Sequence, residues 1–508
     1  MNEQSGQNDL RAIARKAMTD RGLEPDFPPD ALRQLNGIPG PASECDADIR
    51  DLRDRLWCSI DNDTSRDLDQ LTVAERLTAG RVEVLVAVAD VDALVKPGSP
   101  IDRHAGANTT SVYTAARIFP MLPERLSTDL TSLNEDADRL ALVVEMVVTP
   151  DGSVETSEVY RALVRNRAKL AYRGVAAWLD GTGAAPDRVA KTAGLGEQLR
   201  MQDQVAHIMR SVRYLHGALD FETIEPEAVL SDGQVVDLRL EGKNRAKELI
   251  EDFMIAANGV AASFLEQRGS PTLQRVVRSP ERWDRIREVA AGLGDQLPTA
   301  PDSKALGAFL ARRRQADPLR FPDLSLTIVK LMGAGEYAVQ LPGQAAAGHF
   351  GLAVHDYSHS TAPNRRYPDI ITQRLLKAAL AGGAIPYSPA ELASLATHCT
   401  EREDAARKVE RQVRKSAAAQ VLSGHIGESF DALVTGASGK GTWVRLLKPP
   451  ADGKLIRGQE GLDVGDRLRV ELVSLNVQRG FIDFVRTARD AERRPPADRK
   501  RQNRHPVA

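Results

Sequence analysis

The run "VEVLVAVADVDALV", Val82 to Val95, limits what this chain can become more than any other segment. It is apolar and β-branched, with little of the in–out alternation a solvent-facing strand would show. That composition predicts a strand covered on both faces. "RLALVVEMVVTPDGSVETSEVYRALV" then reads as a strand, a turn at Pro-Asp-Gly and a returning strand. From Thr192 to Leu215, and again through "NRAKELIEDFMIAANGVAASFLEQRG", the period becomes helical. The second helix would bury Leu249, Ile250, Phe253, Met254 and Ala257 on one stripe. Strands first and helices later predict a large α+β domain.

The ends differ from this body. "DLRAIARKAMTDRGL" repeats apolar residues at Leu10, Ile13, Ala14 and Ala17, and "PPDALRQLNGIPGP" predicts a second short helix behind its prolines. Two short helices bury little alone, so this module is expected either to dock on the body or to act as a small helix-turn-helix nucleic-acid binder. The stretch "ESFDALVTGASGKGTWVRLLKPPADGKLIRGQEGLDVGDRLRVELVSLNVQRGFIDFV" alternates apolar and polar residues between glycine turns, which predicts a five-stranded barrel of the OB-fold type. Beyond Arg486 the basic, aperiodic "TARDAERRPPADRKRQNRHPVA" is expected to be disordered. The expected divisions are 1–45, 46–423, 424–487 and 488–508.

With 508 residues, 42% of them hydrophobic, the chain can bury more than one core. Lysine plus arginine (68) nearly balances aspartate plus glutamate (70), so any nucleic-acid site must be a local basic surface. Cys45, Cys58 and Cys399 form no CxxC pair and no even framework, which argues against structural zinc and a disulfide scaffold. No secretory leader and no spanning apolar run are evident, so a soluble, cytoplasmic protein is expected.

The chemistry starts at "SIDNDTSRDLDQL", Ser59 to Leu71. Alternate residues of extended chain face the same way, so Asp67 and Asp69 can share a site while Leu68 points to the core. Asp61 can reach that site across the turn. Clustered carboxylates suit a hard cation such as Mg²⁺ or Mn²⁺, and equally suit a solvated loop whose acids cap turns. In "HFGLAVHDYSHSTAPNRRYPDIITQRLLKAAL", Arg365 and Arg366 follow Pro363 and precede a helix, a setting that suits phosphate. His355 and His359 are four apart but lack a third ligand nearby, so packing or RNA contact fits them better than metal. In the barrel, Phe430 and Trp443, with Lys440 and Arg445 beside the tryptophan, read as a base-stacking platform or as core.

Taken in order, "SIDNDTSRDLDQ", "VAVADVDALVKPGSPIDRHA", "TSVYTAARIFPMLPERLSTDLTSLNEDADRLALVVEM", "AKLAYRGVAAWLDG", "KELIEDFMIAANGVAASFL" and "HFGLAVHDYSHSTAPNRRYPD" resemble the catalytic domain of the ribonuclease II/R (RNB) exoribonucleases. The closing barrel resembles the S1-type RNA-binding domain that ends those enzymes, and the resemblance runs from about residue 46 to 487. It implies a 3′→5′ exoribonuclease that releases nucleoside 5′-monophosphates from single-stranded RNA with Mg²⁺, or Mn²⁺ as the alternative, acting as a monomer without a membrane. It implies Asp61, Asp67 and Asp69 as catalytic metal ligands and Arg365 as the phosphate grip. Tyr113, Tyr172, Phe221, Glu251, Glu410 and Trp443 are the implied RNA contacts.

The chain also departs from the family. Gln70 stands where a fourth acid is expected, which raises the alternative of an RNA-binding protein with weakened or lost catalysis. "HSTAPN" varies from the usual Phe-Thr-Ser-Pro-Ile pattern. Only about 45 residues precede the catalytic domain, too few for the cold-shock-type barrels that bacterial members place there. A more open channel mouth is the expected consequence.

Overall fold

The computed structural model describes residues 9–43, 47–222, 225–231, 234–241, 244–344, 346–439, 441–462 and 466–487, with 225–241 described by its backbone alone. Cys45, Lys440 and the basic tail 488–508 lie outside the described residues. The chain divides into two compact units. The described residues within 14–223 and 242–410 form the larger, and those within 1–13, 224–241 and 411–487 the smaller.

The strands of the larger unit begin with β1 (Arg50–Asp51), β2 (Cys58–Asp61), β3 (Gln70–Arg76) and β4 (Val82–Ala89). A small hairpin, β5 (Val112–Tyr113) and β6 (Ile118–Phe119), precedes the long β7 (Asp138–Val148) and β8 (Val154–Arg165), followed by β9 (Ala168–Ala171). Seven of these make one sheet in the order β1-β8-β7-β4-β3-β2-β9. β4 is its centre, and its residues are buried except for half-exposed Glu83, as the unbroken apolar run predicts. The strand stops at Ala89, short of the full run to Val95. Asp90 instead caps a 3₁₀ turn, its side chain accepting from Ala93 N at 3.1 Å.

The helices are α1 (Leu10–Thr19), α2 (Pro29–Asn36), α3 (Pro100–Asn108), α4 (Tyr172–Leu179), α5 (Asp187–Lys191), α6 (Leu195–Leu215), α7 (Arg245–Gln267), α8 (Trp283–Gly292), α9 (Ser303–Ala316), α10 (Phe321–Met332), α11 (Tyr367–Leu380) and α12 (Pro389–Val421). α6 and α7 pack on the main sheet, where Thr72 Oγ1 donates to Gln202 Oε1 at 2.7 Å. The α7 stripe is buried as expected, except that Met254 is half-buried. A second, smaller core gathers Trp283, Ile286, Phe309, Phe321 and Ile328 from α8, α9 and α10.

The segment carrying α2 is a packing element. Ala31 and Leu35 join the main core, Glu24 N bonds Asn108 Oδ1 at 2.8 Å, and Arg125 donates to the carbonyls of Leu35 and Ile38. Cys58 and Cys399 are free and buried. Among the described residues no helix is long and apolar enough to cross a membrane.

In the smaller unit, β14 (Ser429–Ser438), β15 (Gly441–Leu446), β16 (Asp452–Arg457), β17 (Arg467–Asn476) and β18 (Phe481–Arg486) close as the five-stranded barrel β14-β15-β16-β18-β17. The hairpins β10 (Glu225–Ser231) with β11 (Gln234–Glu241) and β12 (Thr272–Val276) with β13 (Glu336–Gln340) complete the strands. Val444, Leu446, Leu455, Val470, Leu472 and Phe484 fill the barrel interior. Gly453 is required there, since a Cβ would lie 2.3 Å from the Phe484 ring and 2.6 Å from Ile482 O.

Candidate nuclease site

Residues 62–69 join the end of β2 to the start of β3, and each acid in this loop has its own setting. Asp61 Oδ1 accepts from Asn62 N at 2.7 Å and Ser65 Oγ at 3.0 Å, a turn in which the side chain mimics backbone. Lys169 Nζ holds the same turn by Ser65 O at 2.6 Å. Leu68 is buried and fixed through Ser132 Oγ, so its neighbours Asp67 and Asp69 face away from the core. Asp63 instead turns outward, 3.8 Å from exposed Arg173.

Asp69 is 2% exposed. Its Oδ1 accepts from Asn364 N at 2.8 Å and its Oδ2 from Arg365 Nε at 3.0 Å. Burial pushes its carboxyl up to about 7, with the Asp67 charge adding and Arg365 and Asn364 opposing. Burial also raises Asp61, and Asp67 adds to that rise. Burial works against the Arg365 charge, but Asp69 outweighs it and leaves the guanidinium above its ordinary value. The Arg365 side chain remains 43% exposed.

The turn that delivers Arg365 runs directly into α11. Ser111 N and Thr110 Oγ1 donate to Arg365 O at 2.9 and 3.2 Å, and Tyr367 N donates to Thr109 O. The strand so held continues into the β5–β6 hairpin and Tyr113, which is 41% exposed. Tyr113 OH donates to Asp67 Oδ2 at 3.2 Å, and its backbone N donates to Glu410 Oε1 at 2.9 Å. Asp61, Asp67, Asp69, Arg365, Tyr113 and Glu410 thus form one connected neighbourhood. Tyr172 joins it, because its phenol is pushed up first by burial and then by the Asp61 charge, with Arg365 opposing.

No described hydrogen bond or ion pair links the other expected contacts to this neighbourhood. Glu251 is exposed on α7, near enough to Tyr357 to contribute to that phenol's raised pKa, which burial dominates. Phe221 is half-buried against the second core. Trp443 is half-buried on β15, opposite Lys454 and packed over Gly436. Phe430 lines a separate cavity of about 360 Å³ with Val421, Leu422, His425 and Lys448–Pro450. Burial and the nearby arginines push the His359 imidazole well below its usual range, and its Nδ1 pairs with Tyr337 OH at 2.8 Å within the packed interior.

Sequence reasoning missed Asn364 and Asp369. Asn364 is 1% exposed and links Asp69 to Thr131, whose hydroxyl lies 2.6 Å from Asn364 Oδ1. Asp369, in the first turn of α11, accepts from Ala362 N and Arg366. An acid in the first turn of a helix right behind paired arginines was the available signal for it.

The sequence matches the RNB domain family over residues 49–382 and the RNase II-type exonuclease C-terminal S1 domain over 428–487. This chain belongs to the RNB family. Ribonuclease R 1 of Lactococcus lactis is 30% identical over 454 residues, covering 87% of this chain and 54% of its own length. The chain therefore spans about half the length of that curated relative. Mycoplasma genitalium RNase R in complex with ribose methylated single-stranded RNA superposes with a TM-score of 0.84 at 21% identity, covering 94% of this chain and 78% of that one. Yeast Ssd1, a pseudonuclease, shares the fold with a TM-score of 0.67 at 16% identity, over 91% of this chain and 57% of its own.

Among the described residues of this RNB-family chain, no group of three or more histidine, cysteine or acidic side chains is placed to hold a metal ion. Each oxygen of Asp69 already accepts one hydrogen bond, from Asn364 N and from Arg365 Nε. Gln70 adds no charge. It is 8% exposed, stands in register with Val88, and its carboxamide makes no hydrogen bond among the described residues. Asp61 and Asp67 each keep an oxygen outside these bonds. Two carboxylates with substrate oxygens completing the shell are an ordinary donor set for Mg²⁺, so the residues fit a cation held in that way.

Proposed function

We propose that this chain is a 3′→5′ exoribonuclease that hydrolyses single-stranded RNA and releases nucleoside 5′-monophosphates. The observation that carries the reading is a charge shortfall beside an exposed aromatic. Three aspartates share one ion-paired arginine among the described residues, and Tyr113 stands open next to them. Burial of like charges raises carboxyl pKa values until a cation arrives, so the site is built to be completed from outside.

Asp61 and Asp67 would hold the cation, Mg²⁺ in the first instance. When bound, it supplies charge neutralisation at the phosphate and an activated water. Arg365 spends Nε on Asp69, which leaves its two terminal nitrogens to take non-bridging phosphate oxygens in a planar fork. The Tyr113 ring offers a face to the 3′-terminal base, and stacking tolerates any sequence. Its hydroxyl steadies Asp67 while Glu410 fixes its backbone. Asp69 orients Arg365. The barrel adds a second RNA contact through Trp443, and the protein works as a cytoplasmic monomer.

The test is a 5′-labelled single-stranded RNA incubated with the protein under titrated Mg²⁺ and Mn²⁺. A ladder shortening to a small end product is expected. RNA that binds yet stays intact at every metal concentration overturns the reading. Gln70 favours that second outcome, an RNA-binding protein without cleavage. Gln70→Asp separates the cases, since it creates or raises cleavage if the neutral amide is what limits the site.

A further inference from the structure

Arg365 and Arg366 are adjacent in sequence and opposite in surroundings. Arg365 keeps 43% of its side chain exposed and directs Nε at Asp69. Arg366 turns to Asp369, with Nη2 donating to Oδ1 at 2.8 Å, and the Asp369 side chain is fully buried. The same Oδ1 accepts from Ala362 N at 2.7 Å. One carboxylate oxygen therefore ties the first residue of the turn 362–366 to the last. The residues enclosed include Asn364 and Arg365, which together hold Asp69.

As a stabilising device this pair is poor. Asp369 Oδ2 and Arg366 Nε are both buried without a hydrogen bond among the described residues. A buried ion pair with leftover donors and acceptors gains little over an apolar pair of the same volume. Buried polar atoms left unsatisfied call for another explanation, and here the turn supplies it. Its far side carries the bonds from Ser111 and Thr110 to Arg365 O, two and three residues before Tyr113. A shift of this turn would move the Arg365 backbone that those bonds hold, and with it the phosphate grip.

We propose that Asp369 is a positioning residue for RNA cleavage. It neutralises Arg366 and closes the turn, so that Arg365 alone presents a guanidinium to the terminal phosphodiester. The inference rests on the exoribonuclease reading above, and its test separates the two. Asp369→Asn keeps an oxygen for Ala362 N and removes the charge. It is compared with Arg365→Ala and the double variant for thermal unfolding, metal-free binding of single-stranded RNA, and single-turnover cleavage with Mg²⁺.

Asp369→Asn is expected to slow cleavage roughly 10- to 100-fold and weaken RNA binding severalfold, and to add nothing once Arg365 is alanine, because residues acting through one another are not additive. Losses that multiply in the double variant, or an Asp369→Asn protein that matches wild type, overturn the proposal. If Asp369→Asn does not fold, Arg366→Gln removes the other half of the pair and enters the same cycle with the same expectation. If wild type binds RNA but releases no product, the exoribonuclease reading fails, and the binding cycle still decides whether Asp369 acts through Arg365.

Discussion

Asp90, Asp92 and Asp102 bring three negative charges into the larger unit, as Asp61, Asp67 and Asp69 do, but among the described residues the first group is answered by more cations than the second. Lys377 and Arg161 pair with Asp90 at 3.0 and 3.2 Å, Lys377 and Arg374 with Asp92 at 2.9 and 2.8 Å, and Arg374 with Asp102 at 2.7 Å. Burial works against the Asp92 charge, yet Lys377 and Arg374 hold its carboxyl below the usual range. At Asp61 and Asp69 burial wins and both carboxyls rise. Among the described residues three cations serve one group and one arginine serves the other. A site closed by its own charges is scaffold, and the one left short is where the proposed function would put a cation and an RNA backbone.

The sharpest way to break this contrast is to remove one arginine from each group. Arg374→Ala leaves Asp102 in the interior without its cation and Asp92 with Lys377 alone, and is expected to cost about 3–5 kcal/mol. Urea unfolding measures it. Arg365→Ala is expected to cost much less stability, because Asp69, already near 7, can take up a proton. Its cleavage rate should instead fall about 10²- to 10³-fold, the usual loss for a group that stabilises transition-state charge. Equal stability losses from the two variants would erase the distinction.

A region with the opposite imbalance sharpens the comparison. His349 packs against Tyr357, which in turn stacks edge-on with His359. Burial and the Arg275 charge push the His349 imidazole down to about 4. An unfolded histidine titrates near 6.5, so between those values the unfolded chain binds a proton that the native state refuses. Stability is therefore full above about pH 6.5 and declines as pH falls toward about 4, by on the order of 3 kcal/mol. His349→Gln should flatten that segment of the stability curve. An unchanged slope would show that this histidine does not carry the acid sensitivity.

The barrel tests whether binding and chemistry are separable. Trp443→Ala is expected to weaken single-stranded RNA binding by about 1–3 kcal/mol, the cost of one lost base stack, while Trp443→Phe retains most of it. Cleavage at saturating RNA should be unchanged by either. If both substitutions leave affinity intact and lower only the melting temperature, Trp443 is core.

The sheet, the long helices and the barrel were legible because each is written in a periodic pattern of apolar residues. The buried run at Val82 announced the central strand, although Asp90 ended it earlier than the hydropathy suggested. The site was legible only as types of residue. Nothing in "RDLDQ" says that Asp69 would be consumed by Arg365, since the two lie 296 residues apart in sequence. Nor does spacing along the chain say that Glu410 would meet the Tyr113 backbone, or that Phe221 would lodge beside a separate core. Those facts come from tertiary closure, which local pattern does not encode.

The smallest effect is the most discriminating, because the two groups of aspartates predict opposite signs. Asp61→Asn keeps an oxygen for Asn62 N and Ser65 Oγ and removes a charge that Asp67 repels. In metal-free protein this should stabilise the fold by about 0.5–1 kcal/mol. Asp92→Asn removes a charge that Lys377 and Arg374 need, and should destabilise it. Adding Mg²⁺ or Mn²⁺ should raise the melting temperature of wild type more than that of Asp61→Asn, since ligand binding to the native state alone adds stability. The measurement is a pair of melting curves for each protein, with and without metal. If Asp61→Asn destabilises the metal-free protein as Asp92→Asn does, the loop at Asp61 is satisfied by its own bonds and no cation is wanted there.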